Sequence, residues 1–330
     1  MAMRKICIYG VGAIGGWIGA RLGTLPGLSI SAVARGAALE ALKTKGLQLS
    51  SGDQHLTVEV QVSDDPQDLG PQDVVVLAVK APALPEVAKR IAPLLGPDTM
   101  VYTAMNGVPW WFLNGFGGAY ANVGLHSVDP NGVLARSIPA NSVVGGVVHA
   151  SCSLEAAGHV RHHFGNGLIV GEPNGTLSAR AQAWQSLLVQ AGFEATLSQR
   201  IQHDIWFKLW GNMTVNPISA LTGATTDRIM NDELLVGFIS EVMLEAKAIG
   251  ARMGIDITQS PEDRHAVTRK LGVFTTSMLQ DVKAGRSVEL DALVSSVQEL
   301  GQITQVNTPF TNALLGLARL HARGLGLYPE

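Results

Sequence analysis

Apolar residues run without alternation over Ile6–Tyr9, Leu28–Ala34 and Val74–Val79. Such runs suit strands buried on both faces of a parallel sheet. The first predicted strand is Lys5–Tyr9, and a helix is predicted from Ala13 to about Leu22. Further helical patterns cover Ala37–Lys45 and Ala83–Leu95, with a strand at Met100–Thr103. This alternation predicts an open α/β sheet. Val143–Ala150, His159–Phe164 and Leu168–Gly171 read as strands between Gly-rich turns. They predict a more antiparallel end to the sheet.

From about Gln199 the pattern changes to a helical period with no convincing strand. Helices are predicted at Arg200–Leu221, Glu233–Met253, Pro261–Lys283, Val288–Val306 and Pro309–Ala322. Pro261 and Pro309 stand where a first helical turn accepts proline. The expected organisation is a Rossmann-type α/β domain over 1–199 and an all-α domain over 200–330. No long linker separates them, so the expectation is two domains packed about a cleft.

Composition narrows the function classes. The 330 residues are 46% hydrophobic and 15% charged, with 24 Lys and Arg against 27 Asp and Glu. A net charge of −3 offers no basic footprint for nucleic acid and no polybasic patch for a membrane. Two cysteines, Cys7 and Cys152, are too few for a disulfide framework. Arg4 and Lys5 before an apolar stretch imitate a signal peptide, but Gly10, Gly12, Gly15, Gly16 and Gly19 interrupt it. A cytoplasmic location is the expectation.

Gly10-Val11-Gly12-Ala13-Ile14-Gly15 follows a strand and opens a helix, the context in which G-x-G-x-x-G binds a dinucleotide. Gly10 permits the tight turn, Gly12 lets backbone approach a pyrophosphate, and Gly15 allows close helix–strand packing. The second strand ends in Ala34-Arg35-Gly36, with no acid until Glu40. A carboxylate there would favour the free ribose of NAD, whereas a guanidinium pairs with a 2′-phosphate. Arg35 therefore predicts NADP(H), and a solvated strand-end arginine is the plainer alternative.

Lys208, Asn212 and Asn216 are spaced i, i+4 and i+8 among large apolar residues, so they rise along one helix face. A lysine flanked by Phe207, Leu209 and two tryptophans has a lowered pKa if desolvated, which suits proton transfer. The competing reading is a snorkelling lysine on a wet face. Pro217 is expected to interrupt the backbone beside Asn216. Downstream, Ser277 falls in a helix that ends near Asp281, and Ser287 is a candidate N-cap with Glu289 in the next helix's first turn. Alternatively Ser277 and Glu289 anchor a hydroxylated substrate. His159, His162 and His163 alternate faces along a strand and read as surface histidines, so no metal site is expected.

On these residues the sequence resembles the ketopantoate reductase (2-dehydropantoate 2-reductase) family over nearly its whole length. The resemblance rests on Gly10–Gly16, Arg35, Val79-Lys80-Ala81, Asn106-Gly107-Val108, Lys208-x-x-x-Asn212-x-x-x-Asn216-Pro217, Ser277–Asp281 and Glu289-Leu290-Asp291. It implies NADPH-dependent reduction of 2-dehydropantoate to (R)-pantoate, on the way to pantothenate and coenzyme A. It also implies Lys208 as catalytic lysine and Glu289 as the acid near the substrate. Asn212, Asn216 and Ser277 would hold substrate polar groups. Lys80 and Asn106 would lie where the nicotinamide meets the substrate.

Two departures stand out. Met105 occupies a position where many family members carry glutamine, and Pro109-Trp110-Trp111-Phe112 is bulkier than the family pattern. If that segment borders the substrate, a larger 2-oxo acid is favoured; otherwise it is a packed loop or dimer contact. A β-hydroxyacid dehydrogenase and a non-catalytic NADP(H)-binding sensor are the other readings. A homodimer through the helical domain is compatible with its apolar faces.

Overall fold

The computed structural model describes residues 3–121, 123–270 and 272–330. By internal contacts the chain divides into two units. Met1–Met105, Trp111–Asn122 and Gly132–Asp204 form the first; Asn106–Trp110, Val123–Asn131 and Ile205–Glu330 form the second. Two short segments ahead of residue 132 thus belong with the helices, a feature that no local pattern in the sequence marks.

The first unit is built on β1 (Lys5–Tyr9), β2 (Ser29–Val33), β3 (Leu47–Ser51), β4 (Gln54–Val58), β5 (Gln61–Ser63), β6 (Gln72–Leu77), β7 (Leu95–Thr103), β8 (Val143–Ala156), β9 (His159–Gly171) and β10 (Glu194–Leu197). They form one sheet in the order β4-β3-β9-β8-β7-β6-β1-β2-β5, with β10 also paired to β9. From β5 to β8 every pairing is parallel. β8 and β9 are antiparallel, as expected from the sequence. Helices α1 (Ala13–Leu22), α2 (Gly36–Lys45), α3 (Leu84–Arg90), α4 (Val133–Ser137) and α5 (Ala179–Gln190) accompany the sheet. The order reverses at β1, with β2 on one side and β6 on the other. In open α/β sheets that reversal marks the ligand crevice at the carboxyl ends of the strands.

Ile6, Ile8, Trp17, Ile18, Leu22, Val74 and Val76 are buried in the core of this unit. The histidine-rich strand lies against it: His162 stacks on Trp17 at 5.4 Å and bonds Ser51 Oγ, while His159 bonds Ser50 Oγ. Buried Glu172 pairs with Arg180 at 2.6 Å and accepts from Ser178 Oγ. Trp111 and Phe112, from the bulky segment, are fully buried. A Cβ added at Gly145 would stand 2.5 Å from the Trp111 ring. Their bulk fills the interior, which is the packed-loop reading.

The second unit contains α6 (Ile201–Thr222, beginning at the unit boundary), α7 (Thr226–Met230), α8 (Glu233–Arg252), α9 (Pro261–Arg269), α10 (Ser277–Lys283), α11 (Ser296–Thr304) and α12 (Pro309–Gly324). Trp206 and Trp210, one turn apart on α6, donate their indole N–H groups to the Ala246 and Met243 carbonyls of α8. Glu245 on α8 accepts from Phe310 N–H, Thr311 N–H and Thr311 Oγ1, which caps α12 from a neighbouring helix. α6 continues through Pro217 to Thr222 rather than breaking beside Asn216.

Three sequence expectations are corrected here. The helix expected over Pro261–Lys283 is two, because Gly272 adopts φ +61 and Thr226 Oγ1 donates to the Gly272 and Phe274 carbonyls between them. Ser277 therefore starts α10, with Thr276 as its N-cap, instead of sitting near a helix end. Ser287 is not an N-cap: helical backbone begins at Leu290, and Leu293 N–H donates to the Glu289 carbonyl. The missed pieces include the β3–β4 hairpin, β5, α4, α5, β10 and α7.

Candidate active site

The glycine turn links β1 to α1 and packs against the residues just beyond β6. Gly10 has φ +98, and a Cβ there would stand 2.6 Å from Val79 Cγ1 and 2.9 Å from Val79 N. At Gly15 a Cβ would lie 2.1 Å from the Gly10 carbonyl oxygen and 3.0 Å from Ile8, so helix and strand meet in direct contact. At Gly12, by contrast, a Cβ would meet nothing within 4 Å. Gly12 is the N-cap of α1, and no side chain caps that end. Open space before uncapped helix N–H groups fits a pyrophosphate. Val11 is buried, and Ala13 and Ile14 are partly so as the helix begins. Arg35, the exposed N-cap of α2, follows β2 directly. Burial raises the Tyr9 pKa, while Arg90 and Arg35 pull it down, which locates both cations near the end of β1. Lys80 is partly buried just beyond β6.

A pocket of about 700 Å³ bounded by Arg4, Asp73 and Pro97 lies at the amino ends of β1 and β6. That is the end opposite the glycine turn, and it holds none of the expected site residues.

In the second unit, α6 presents one wettable face. From Leu209 to Ala220 every residue is buried except Asn212 and Asn216, and Lys208 one turn earlier is partly accessible as well. Lys208 Nζ donates a 2.6 Å hydrogen bond to Asn106 Oδ1. Burial is the main cause that pushes the lysine down to about 8; Glu289 opposes the shift and Arg264 adds to it. Lys208, Asn106, Glu289 and Arg264 are therefore brought together. Ser277 stands exposed at the first turn of α10.

The Asn106 segment is docked tightly. Val108 N–H donates to the Ala292 carbonyl at 2.8 Å. Gly107 has φ +81, and a Cβ there would stand 2.5 Å from the Ala292 oxygen. Ala292 belongs to a π-helical turn, Asp291–Ser295, that follows Glu289. Such turns carry one extra residue and re-aim neighbouring side chains, often at functional sites. Asp291 is held by Ser295 Oγ and Tyr328 Oη, Val288 N–H by the Leu327 carbonyl, and Arg286 by Asp281. The loop bearing Glu289 is thus fastened at several points by the C-terminal residues and α10.

Arg264 had no sequence signal. It lies in a short polar helix, whose start is fixed by a reciprocal Ser260–Asp263 capping box. His265 beside it bonds Ser240 of α8 at 2.9 Å. The Arg264 guanidinium lies over the Phe207 ring, 5.8 Å from its centre. A Cβ at Gly211 would be 2.4 Å from Arg264 Nε. That Nε is buried with no hydrogen-bond partner among the described residues.

Two family profiles cover the chain: Ketopantoate reductase PanE/ApbA over residues 6–175, and Ketopantoate reductase PanE/ApbA C terminal over residues 200–322. The chain belongs to the ketopantoate reductase family. It is 42% identical over 324 residues to a 2-dehydropantoate 2-reductase of Mesorhizobium japonicum, covering 98% of this chain and 99% of that one. A 2-dehydropantoate 2-reductase of Archaeoglobus fulgidus is 29% identical over 98% of this chain and all of its own. Among solved structures, a candidate ketopantoate reductase from Ralstonia solanacearum MolK2 superposes with a TM-score of 0.94. It is 52% identical and covers 99% of this chain and 100% of the other. Family members share the Rossmann-like sheet followed by a helical domain that is described above. Among the described residues no helix is long and apolar enough to cross a membrane.

Proposed function

We propose that this ketopantoate reductase family member reduces 2-dehydropantoate to (R)-pantoate with NADPH, with Lys208 as the proton donor. The observation that carries the reading is the 2.6 Å bond from Lys208 Nζ to Asn106, on the face of α6 that also carries Asn212 and Asn216, the two accessible residues between Leu209 and Ala220.

Reduction of a ketone leaves negative charge on its oxygen, which needs a placed proton or cation. Bound NADPH supplies the hydride; the turn from Gly10 to Gly15, open at Gly12, would cradle its pyrophosphate, and Arg35 would pair with its 2′-phosphate. Lys208, with its pKa brought to about 8, holds a proton near neutral pH yet releases it more readily than an ordinary lysine. Asn106 accepts one ammonium N–H and so fixes the direction of the other two. Glu289 would accept a hydrogen bond from the substrate hydroxyl, which penalises oxo acids lacking it. Asn212, Asn216 and Ser277 offer neutral donors for the remaining polar groups, and Lys80 belongs to the nicotinamide side of the site.

The test follows NADPH absorbance with ketopantoate for wild type and Lys208→Ala, with NADH as the control. The expected outcome is rapid oxidation that falls by about 10²–10⁴-fold in the variant and is weak with NADH. Near-normal turnover by a folded Lys208→Ala protein would remove the lysine from the chemistry.

A further inference from the structure

We infer that Arg264 is the carboxylate-binding residue of the substrate site, making a two-cation pocket with Lys208 that selects 2-oxo acids over their uncharged analogues. The inference rests on the reductase reading for the substrate's identity, though not for its charge.

A guanidinium whose Nε is buried normally finds an acid or a carbonyl for that N–H, because leaving it unpaired is costly. Arg264 instead lies on an aromatic face and against a glycine, with Nε buried and unpartnered among the described residues. The acids nearest in sequence are engaged elsewhere: Glu262 pairs with Arg269, and Asp263 caps its own helix. The capping box and the His265–Ser240 bond hold α9 in place, so the guanidinium does not owe its position to an ion pair.

Arg264 and Glu289 both lie within electrostatic reach of Lys208, so the guanidinium is near the ammonium as well as near Gly211 of the same helix. A substrate carboxylate would meet the fork of donors that matches it. Gly211 makes this possible, since any side chain there would stand where the guanidinium lies. With the carboxylate held by Arg264, Lys208 would serve the ketone oxygen.

Two measurements test the inference. Ketopantoate kinetics are compared for wild type, Arg264→Met and Arg264→Lys. KM is expected to rise about 10–100-fold in Arg264→Met, the range of a charge-assisted hydrogen bond, with a smaller change in kcat and an intermediate KM for Arg264→Lys. Calorimetric titration with oxamate and its uncharged ethyl ester supplies a readout independent of turnover. Wild type is expected to prefer oxamate, and Arg264→Met to bind the two alike. An unchanged KM together with a retained oxamate preference in Arg264→Met would overturn the inference. If wild type ignores ketopantoate but shows an oxamate preference that depends on Arg264, the substrate assignment fails and the carboxylate site stands.

Discussion

Lys208 and Asn106 lie 102 residues apart in sequence and 2.6 Å apart between Nζ and Oδ1. The asparagine arrives on a segment locked to the π-helical turn beyond Glu289, so the lysine and the acid share one scaffold. Replacing Asn106 by Ala is expected to lower kcat/KM by about 10–100-fold, the effect of losing a hydrogen bond to a charged group.

The pH profile should carry the mark of Lys208. In the proposed mechanism its protonated form is the donor, and burial brings its pKa from 10.5 to about 8. Reduction is therefore expected to fall by about tenfold per pH unit above pH 8. Lys208→Arg, which stays charged, should lack that limb, and steady-state rates from pH 6 to 10 will show whether it does.

Gly12 and Gly15 should fail in different ways when changed to alanine. At Gly12 a methyl group meets no protein atom, so the melting temperature should hold while NADPH affinity falls. At Gly15 the methyl would strike the Gly10 carbonyl and Ile8, so the melting temperature itself should drop. Thermal melts and NADPH titrations of both variants make the comparison. Equal loss of cofactor affinity without any loss of stability in Gly15→Ala would contradict the packing argument.

Cofactor choice is expected to turn on Arg35. Arg35→Glu places a carboxylate beside the ribose, so the NADPH/NADH ratio of kcat/KM should fall by about 10–100-fold or more. The residue is exposed, so folding should be unaffected.

For stability, Glu245→Ala removes three hydrogen bonds from the start of α12. A loss of about 1–3 kcal/mol is expected from unsatisfied helix-end donors, readable by denaturant melts at neutral pH.

The parts legible in the sequence are those where local pattern and tertiary role coincide. β1 and α1 have the predicted bounds, because an uninterrupted apolar strand and a Gly-rich turn leave little other choice. The Lys208–Asn212–Asn216 stripe is legible because helical spacing alone puts it on one face. The β3–β4 hairpin is not: β4 is mostly exposed, and its Gln54-His55-Leu56-Thr57-Val58 run has a weak apolar signal. The break between α9 and α10 was hidden because it depends on Gly272 in a left-handed conformation and on Thr226 far upstream. Arg264 was invisible for a similar reason. Nothing in its neighbours distinguishes it from a surface arginine, and its setting is supplied by Phe207 and Gly211 on another helix.

The chain passes between its two units five times, at 105/106, 110/111, 122/123, 131/132 and 204/205. A cut near residue 200 would consequently leave the helical half without Asn106 and without the two amides, of His126 and Ser127, that Glu299 accepts. Domain grafts between relatives that exchange only the C-terminal stretch would thus assemble a lysine from one parent with its asparagine from another. In this chain the stretch after residue 200 is therefore not a self-contained module, because the partner of its lysine is encoded well upstream.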